Sequence, residues 1–143
     1  MQELIESLED FTWDNYKDIS DALVTFNDFE VENEMFRQAS IYSYYYGLMS
    51  MAKKRMNEKI LNVTHFASDL RKTKKAESSV KLTAKDLDDI VFSDDTYSAL
   101  QNSADDALFK YEMLKGLVRA LEQKKDMLQQ VSANKREETK LYK

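Results

Sequence analysis

The chain has no cysteine and no proline, and only two of its 143 residues are glycine. The absence of cysteine excludes disulfide bonds and thiolate metal sites, which is typical of proteins in a reducing compartment. Because proline and glycine are the residues that interrupt helices, their scarcity favours long helices. The sequence also lacks a signal-peptide pattern and any apolar run near the roughly 20 residues of a membrane helix. We therefore expect an all-α protein in the cytoplasm.

Charged residues are sorted into four blocks that the net charge of −5 conceals. Residues 1–34 have a net charge of −10, residues 35–85 of +8, residues 86–109 of −7 and residues 110–143 of +4. Affinity for nucleic acid follows the local density of positive charge, and here that density is concentrated in the second block. The pattern divides the chain into an acidic, aromatic N-terminal segment, residues 1–34, and a helical domain, residues 35–143.

Apolar residues recur every seven positions in the first half of the helical domain. They are Met35, Tyr42, Met49, Met56, Val63 and Leu70. A seven-residue apolar repeat is typical of a coiled coil or a helical bundle, so it predicts one long helix over residues 35–72. Residues 73–79 interrupt the repeat and are interpreted as a solvated link.

A second long helix is predicted after two start signals. Thr83 and Asp86 resemble a capping box that opens a short helix ending near Val91, and Ser93 to Asp95 resembles a second helix start. Apolar residues at alternating spacings of three and four then continue to about Val131. Two long helices of similar length can fold back as an antiparallel hairpin. Because two helices alone cover such apolar stripes poorly, we expect a homo-oligomer.

Groups suited to catalysis are scarce. His65 is the only histidine, and the sequence has no phosphate-binding glycine loop and no nucleophile motif. The acidic clusters at residues 86–89 and 94–95 could bind a cation, but helix capping explains them more simply. We therefore expect a protein that is not an enzyme and that has no metal site and no cofactor.

The basic part of the first long helix is more informative. Arg55 and Lys59 are one turn apart, and Lys53 projects from the other flank of the apolar stripe. Further cations of the same helix and the link are Lys54, Arg71, Lys72, Lys74 and Lys75. Such a block either binds phosphates or is simply a solvated helix face.

Four tyrosines precede the basic block, and cations beside exposed aromatic rings suit single-stranded nucleic acid. Tyr42 and Tyr45 fall on the apolar stripe and are expected to pack in the core. Tyr44 points to the far face and is the candidate for stacking on a base. Three interpretations of residues 1–34 stay open: a solvating tail, a surface for a basic partner protein, or a segment folded over the chain's own basic helix in competition with DNA.

Five segments in this order resemble the phage recombination mediators of the UvsY type. The matching segments are 39–45, 53–56, 81–85, 93–97 and 114–134. The resemblance implies a ring-like homo-oligomer of six or seven subunits in the host cytoplasm. It also implies binding of single-stranded DNA without sequence specificity, and help in loading a RecA-like recombinase onto strands covered by single-strand-binding protein.

Carried over to this sequence, the resemblance implies that Lys53 and Arg55 contact phosphates and that the C-terminal helix holds the subunits together. The corresponding oligomer residues are Tyr111, Leu114, Val118, Leu121 and Leu128. The alternative hypothesis is a protein-only helical scaffold or assembly chaperone of a phage, which needs the same apolar stripes but no DNA.

Overall fold

A computed structural model describes residues 7–141, and every regular element in that range is an α-helix. The helices are α1 (Trp13–Val24), α2 (Val31–Glu77), α3 (Ala84–Phe92) and α4 (Asp95–Leu141). The prediction of an all-α protein is confirmed. Residues 1–6 of the predicted acidic segment and residues 142–143 of the predicted helical domain lie outside the described range. Between residues 7 and 141, no helix combines the length and the apolar character needed to cross a membrane.

Helix α2 is longer than its heptad pattern predicts. It begins at Val31 rather than near residue 35, because Val31 is itself buried and Glu32 and Glu34 occupy the positive first turn of the helix. It continues to Glu77, so most of the predicted link at residues 73–79 is helical. The segment that separates α2 from α3 is residues 78–83.

The starts of α3 and α4 agree with their sequence signals. In the capping box of α3, the Asp86 N–H donates to Thr83 Oγ1 at 3.1 Å, and the Thr83 N–H donates to Asp86 Oδ2 at 3.0 Å. At the start of α4, the Tyr97 N–H donates to Asp94 Oδ1 at 2.8 Å. The far end of α4 was not predicted, because the helix extends to Leu141 rather than to residue 131.

The chain divides into two compact units. Unit 1 contains residues up to Met51 and from Lys110 onward, and unit 2 contains Ala52–Phe109. The predicted boundary between residues 34 and 35 falls within α2, and both of its sides belong to unit 1. The N-terminal segment is therefore part of a compact unit and not an appendage to it.

The core of unit 1 is built from large apolar side chains. Its buried members include Leu8, Phe11, Val31, Leu48, Met113, Leu114, Leu117, Val118, Leu121 and Leu128. Four of the leucines on α4 lie at spacings of three, four and seven, which places them on neighbouring rows of one helix face. Burial of this face contributes to the stability of unit 1.

The core of unit 2 is built from smaller side chains. Its buried members include Ala52, Val63, Ala67, Val91, Ala104 and Ala107. Alanine and valine bury less apolar area than leucine, so each position contributes less stabilisation than its counterpart in unit 1. Small side chains also allow close approach of helix backbones, which suits packing between the α2 and α4 segments of this unit.

Candidate nucleic-acid interface

The predicted basic residues of α2 lie in unit 2, and several of them are exposed. Lys54 and Lys72 are 18 residues apart, about five helical turns, so they share one face of α2 over roughly 27 Å. Leu61, which is 53% exposed, lies between them on that face. Lys53 and Lys75 are exposed on its flank. We call the surface formed by Lys53, Lys54, Leu61, Lys72 and Lys75 the lysine face.

Two other predicted cations bind partners within unit 2. The guanidinium of Arg71 lies 2.8 Å from an oxygen of Asp88, and Lys59 Nζ donates to Ser103 Oγ at 2.8 Å. Both contacts join α2 to later parts of the same unit. These two side chains therefore stabilise the packing of unit 2. To bind a phosphate, Arg71 would have to release Asp88, and Lys59 would have to release Ser103.

The remaining predicted cations are intermediate cases. Arg55 is half-buried, whereas Lys74 is exposed and lies 3.7 Å from Glu77 of the same helix. An exposed pair of this kind contributes little stability and exchanges readily with solvent ions. Lys74 can therefore add positive charge near the end of the lysine face.

Acidic residues of unit 2 act as helix caps. The backbone N–H and the side chain of Thr83 both hydrogen bond with Asp86 and hold the pKa of its carboxyl below the ordinary value. His65 is exposed on α2. Among residues 7–141, no three histidine, aspartate or glutamate side chains come together in a group that could hold a metal ion.

The tyrosines that precede the basic block belong to unit 1, whereas the lysine face belongs to unit 2. Tyr42 donates its hydroxyl proton to Glu122 at 2.8 Å, and this hydrogen bond raises the pKa of the phenol. Burial raises the pKa of Tyr45, whose ring meets that of Tyr44 edge-on at 5.0 Å. Tyr44 is 44% exposed, so it keeps the open ring face expected of it.

The residues predicted to join subunits lie mostly inside one chain. Leu114, Val118, Leu121 and Leu128 are buried by the chain's own segments in unit 1 and offer no surface to a second chain in this arrangement. Tyr111 is half-buried, with the Lys115 ammonium 5.8 Å from its ring centre. On α4, the alternating spacing of three and four correctly located a stripe of buried residues, but other segments of the same chain cover this stripe.

Sequence reasoning missed the contact between α4 and the N-terminal segment. Three lysines of α4 donate to backbone carbonyls of that segment: Lys110 to Leu8, Lys124 to Leu23 and Lys135 to Asp28. Their spacings of 14 and 11 residues are close to four and three helical turns, so they share one face. The sequence shows this common face, but a row of lysines on a helix predicts exposure to solvent, so the spacing alone does not reveal the contacts.

Lys124 is the central member of this set. Its side chain is only 1% exposed, and its ammonium lies 2.5 Å from the Leu23 carbonyl oxygen and 2.8 Å from Glu34 Oε2. Leu23 lies in the last turn of α1, where carbonyls lack helical partners, and Glu34 lies in the first turn of α2. The acidic segment is thus folded over basic residues of α4, and it leaves the lysine face of α2 exposed.

Unit 1 also has an open groove of about 530 Å³ between α2 and α4. Met35, Ala39 and Tyr42 line it from α2, and Lys125 and Gln129 line it from α4. The first part of the predicted heptad stripe is therefore only partly covered in the protomer.

Comparison of the chain with models of known protein families, with curated proteins and with solved structures finds no match. The resemblance to UvsY-type mediators stays a prediction that depends on the sequence segments quoted above.

Proposed function

We propose that this protein binds single-stranded DNA without sequence specificity as a homo-oligomer and helps to load a RecA-like recombinase onto strands covered by single-strand-binding protein. The lysine face of unit 2 is the observation that carries the proposal. Four exposed ammonium groups along one helix supply the sequence-independent phosphate contacts that such binding requires.

The arrangement of the cations favours a strand over a compact anion. Lys54 and Lys72 are separated by roughly 27 Å along α2, which is too far for one phosphate group and suits a chain of phosphates. Leu61 adds apolar surface between them. Base stacking by Tyr44 remains a separate hypothesis, because that ring belongs to unit 1.

An antiparallel hairpin is part of the proposal, and contacts inside each unit support it. In unit 2, Lys59 meets Ser103, while Arg71, further along α2, lines a groove with Tyr97, earlier along α4. In unit 1, Glu34 meets Lys124 and Tyr42 meets Glu122. In both units, later residues of α2 are matched with earlier residues of α4.

A ring-like assembly of six or seven copies would repeat the lysine face along one strand. Several weak contacts on one strand then act together, because each binding event raises the effective concentration of the next. Contacts between copies must use side chains other than the buried leucines of α4. The partly covered stripe at Met35 and Tyr42 is one surface available for them.

Removal of two lysines tests the proposal. We expect the Lys54→Ala, Lys72→Ala variant to bind fluorescent oligo(dT) at least about tenfold more weakly in anisotropy titrations, because two phosphate contacts are lost from every copy. Lys81→Ala with Lys85→Ala is the matched control, since both lysines are exposed and lie outside α2. Equal affinities of the two variants and the wild-type protein would refute the assignment of the interface.

The protein-only scaffold remains the second candidate because large apolar side chains are exposed in unit 1. Phe29 is 98% exposed and Phe36 is 85% exposed, which is typical of surfaces that meet another protein. Competition with duplex DNA separates the two functions. The mediator hypothesis predicts preference for single strands, whereas a scaffold should bind neither form at physiological salt.

A further inference from the structure

The N-terminal segment presents a surface of carboxylates in unit 1. Asp14, Asp18 and Asp21 occupy positions i, i+4 and i+7 of α1, so they line one exposed face of that helix. Exposed carboxylates continue at Asp28 and Glu30. The hydrogen bonds from Lys110, Lys124 and Lys135 go to backbone carbonyls of this segment and do not use these five carboxylates, which are exposed to solvent. We call this the acidic surface.

Exposed aromatic rings occur in the same segment and in the first turns of α2. Phe29 is almost fully exposed, and Phe36 follows it in the first turns of α2. Trp13 is also largely exposed and stacks on Tyr16 with ring centres 5.8 Å apart. Apolar rings surrounded by charge are the usual composition of a protein-binding patch.

The same chain carries a surface of matching chemistry. The lysine face of unit 2 has Leu61 between the cations at its two ends, and the acidic surface has aromatic rings next to its anions in the sequence. We propose that the acidic surface of one copy binds the lysine face of a second copy. Opposite charge brings the two patches together, and burial of their apolar side chains stabilises the contact.

Such a contact is heterologous, because two different patches meet. In a pair, one copy keeps an unused lysine face and the other keeps an unused acidic surface, so association continues head to tail and closes into a ring or forms a filament. The contact gives the DNA-free form of the homo-oligomer an interface that does not use the buried α4 leucines. Copies bound to a strand would be held together by another surface, such as the partly covered stripe at Met35 and Tyr42.

Competition with DNA follows if the lysine face is also the DNA site. Carboxylates of a neighbouring copy and phosphates of a strand would then bind the same ammonium groups. A single strand would displace the acidic surface as it binds. This part of the inference rests on the proposed function, whereas the contact between copies does not.

Charge reversal on both patches tests the contact. The first variant is Asp18→Lys, Asp21→Lys, and the second is Lys54→Glu, Lys72→Glu. The first variant reduces the acidic surface from five net negative charges to one, and the second reduces the lysine face from four net positive charges to none. We therefore expect each variant alone to show at least a tenfold weaker self-association in sedimentation velocity at about 0.1 M salt. In an equimolar mixture, the unaltered acidic surface of the second variant can bind the unaltered lysine face of the first. The mixture should therefore form pairs with one copy of each variant, and these pairs should not grow further.

Matched controls reverse the same number of charges elsewhere. Glu112→Lys with Glu138→Lys, and Lys81→Glu with Lys85→Glu, alter exposed residues outside both patches and should associate as the wild-type protein does. Circular dichroism at 222 nm confirms that each variant is helical. Wild-type-like association of either patch variant, or a mixture that stays monomeric while both variants are folded, would overturn the inference.

Addition of oligo(dT) to the wild-type assembly separates this inference from the proposed function. Dissociation of the contact by the strand supports both. If the assembly forms, obeys the charge-reversal results and ignores oligo(dT), the contact between copies stands and the DNA function fails. If oligo(dT) binds but the patch variants associate normally, the DNA function stands and the inferred contact fails.

Discussion

Lys124 shows how much one side chain can organise in unit 1. Its buried ammonium would be strongly unfavourable alone, but Glu34 and the Leu23 carbonyl satisfy it. The residue thereby joins the end of α1, the start of α2 and the middle of α4. A cation beside the carbonyl end of α1 also opposes the negative end of that helix dipole.

Replacement of Lys124 by methionine should therefore destabilise unit 1. We expect Lys124→Met to lower the free energy of unfolding by about 3 kcal/mol, because the largely buried Glu34 loses its partner at 2.8 Å and keeps the more distant, exposed Arg37 at 3.8 Å. Urea unfolding followed by circular dichroism measures this loss. Lys125→Met is the control, since Lys125 is exposed and its removal should change stability by less than about 0.5 kcal/mol.

A double variant distinguishes the charge from the packing. Adding Glu34→Gln to Lys124→Met removes the buried carboxylate that has lost its main partner and should recover part of the lost stability. A stability loss in Lys124→Met no larger than that in the Lys125 control would show that the buried pair does not hold the segment.

The role of a single residue was partly predictable from sequence. Rotation of 100° per residue separated Tyr44, which is exposed, from Tyr42 and Tyr45, which are half-buried. Lys124 could not be assigned in the same way. A lysine in a helical pattern predicts exposure, and only the folded N-terminal segment supplies the partners that allow its burial.

At the scale of elements, helix starts were predictable and helix ends were not. Thr83 was predictable as the cap of α3 because its oxygen binds an unpaired N–H group of the first turn. The start of α4 was located to within one residue: Asp94 accepts from its first turn, whereas Ser93, the expected cap, ends α3. Helix α2 outlasts its apolar pattern because lysine, alanine and glutamate near its end favour helix without needing a core. The start at Val31 was not predicted, because acidic residues are typical both of the first turn of a helix and of a solvated acidic segment.

The capping box of α3 offers a test at this scale. We expect Thr83→Ala to destabilise α3 by about 1 kcal/mol, because the Asp86 N–H loses its acceptor. Amide hydrogen exchange should speed up in α3 before it changes in α2 or α4. Ser79→Ala, at an exposed position before the cap, should leave exchange unchanged. Equal exchange in α3 for both variants would contradict a role for the box.

At the scale of the whole molecule, the distribution of charged blocks between the two units is more informative than the net charge of the chain. The sequence identified the basic block and its exposed lysines. It did not predict that the acidic block of residues 86–109 shares unit 2 with those lysines, where Asp88 pairs with Arg71. Spacing along one helix cannot show which later segment packs beside it, and this partner reduces the number of cations available to a ligand.

The salt dependence of DNA binding measures how many cations remain. Each neutralised phosphate of a single strand contributes about −0.7 to the slope of log affinity against log salt, so the four lysines of the lysine face predict about −3 per bound copy. In anisotropy titrations over a range of salt, Lys54→Ala with Lys72→Ala should reduce this slope by about 1.4 per copy. An unchanged slope would place the phosphate contacts on other residues.

The attachment of the N-terminal segment has a consequence for how its outer surface can change. Three lysines of α4 donate hydrogen bonds to main-chain carbonyl oxygens of the segment: Lys110, Lys124 and Lys135. A main-chain oxygen is present whatever side chain the residue carries. Substitution of the outward-facing positions of α1 therefore leaves these three anchors in place. The outer side chains of the segment can therefore be redesigned to bind a different partner, while the lysines of α4 continue to hold the segment in place.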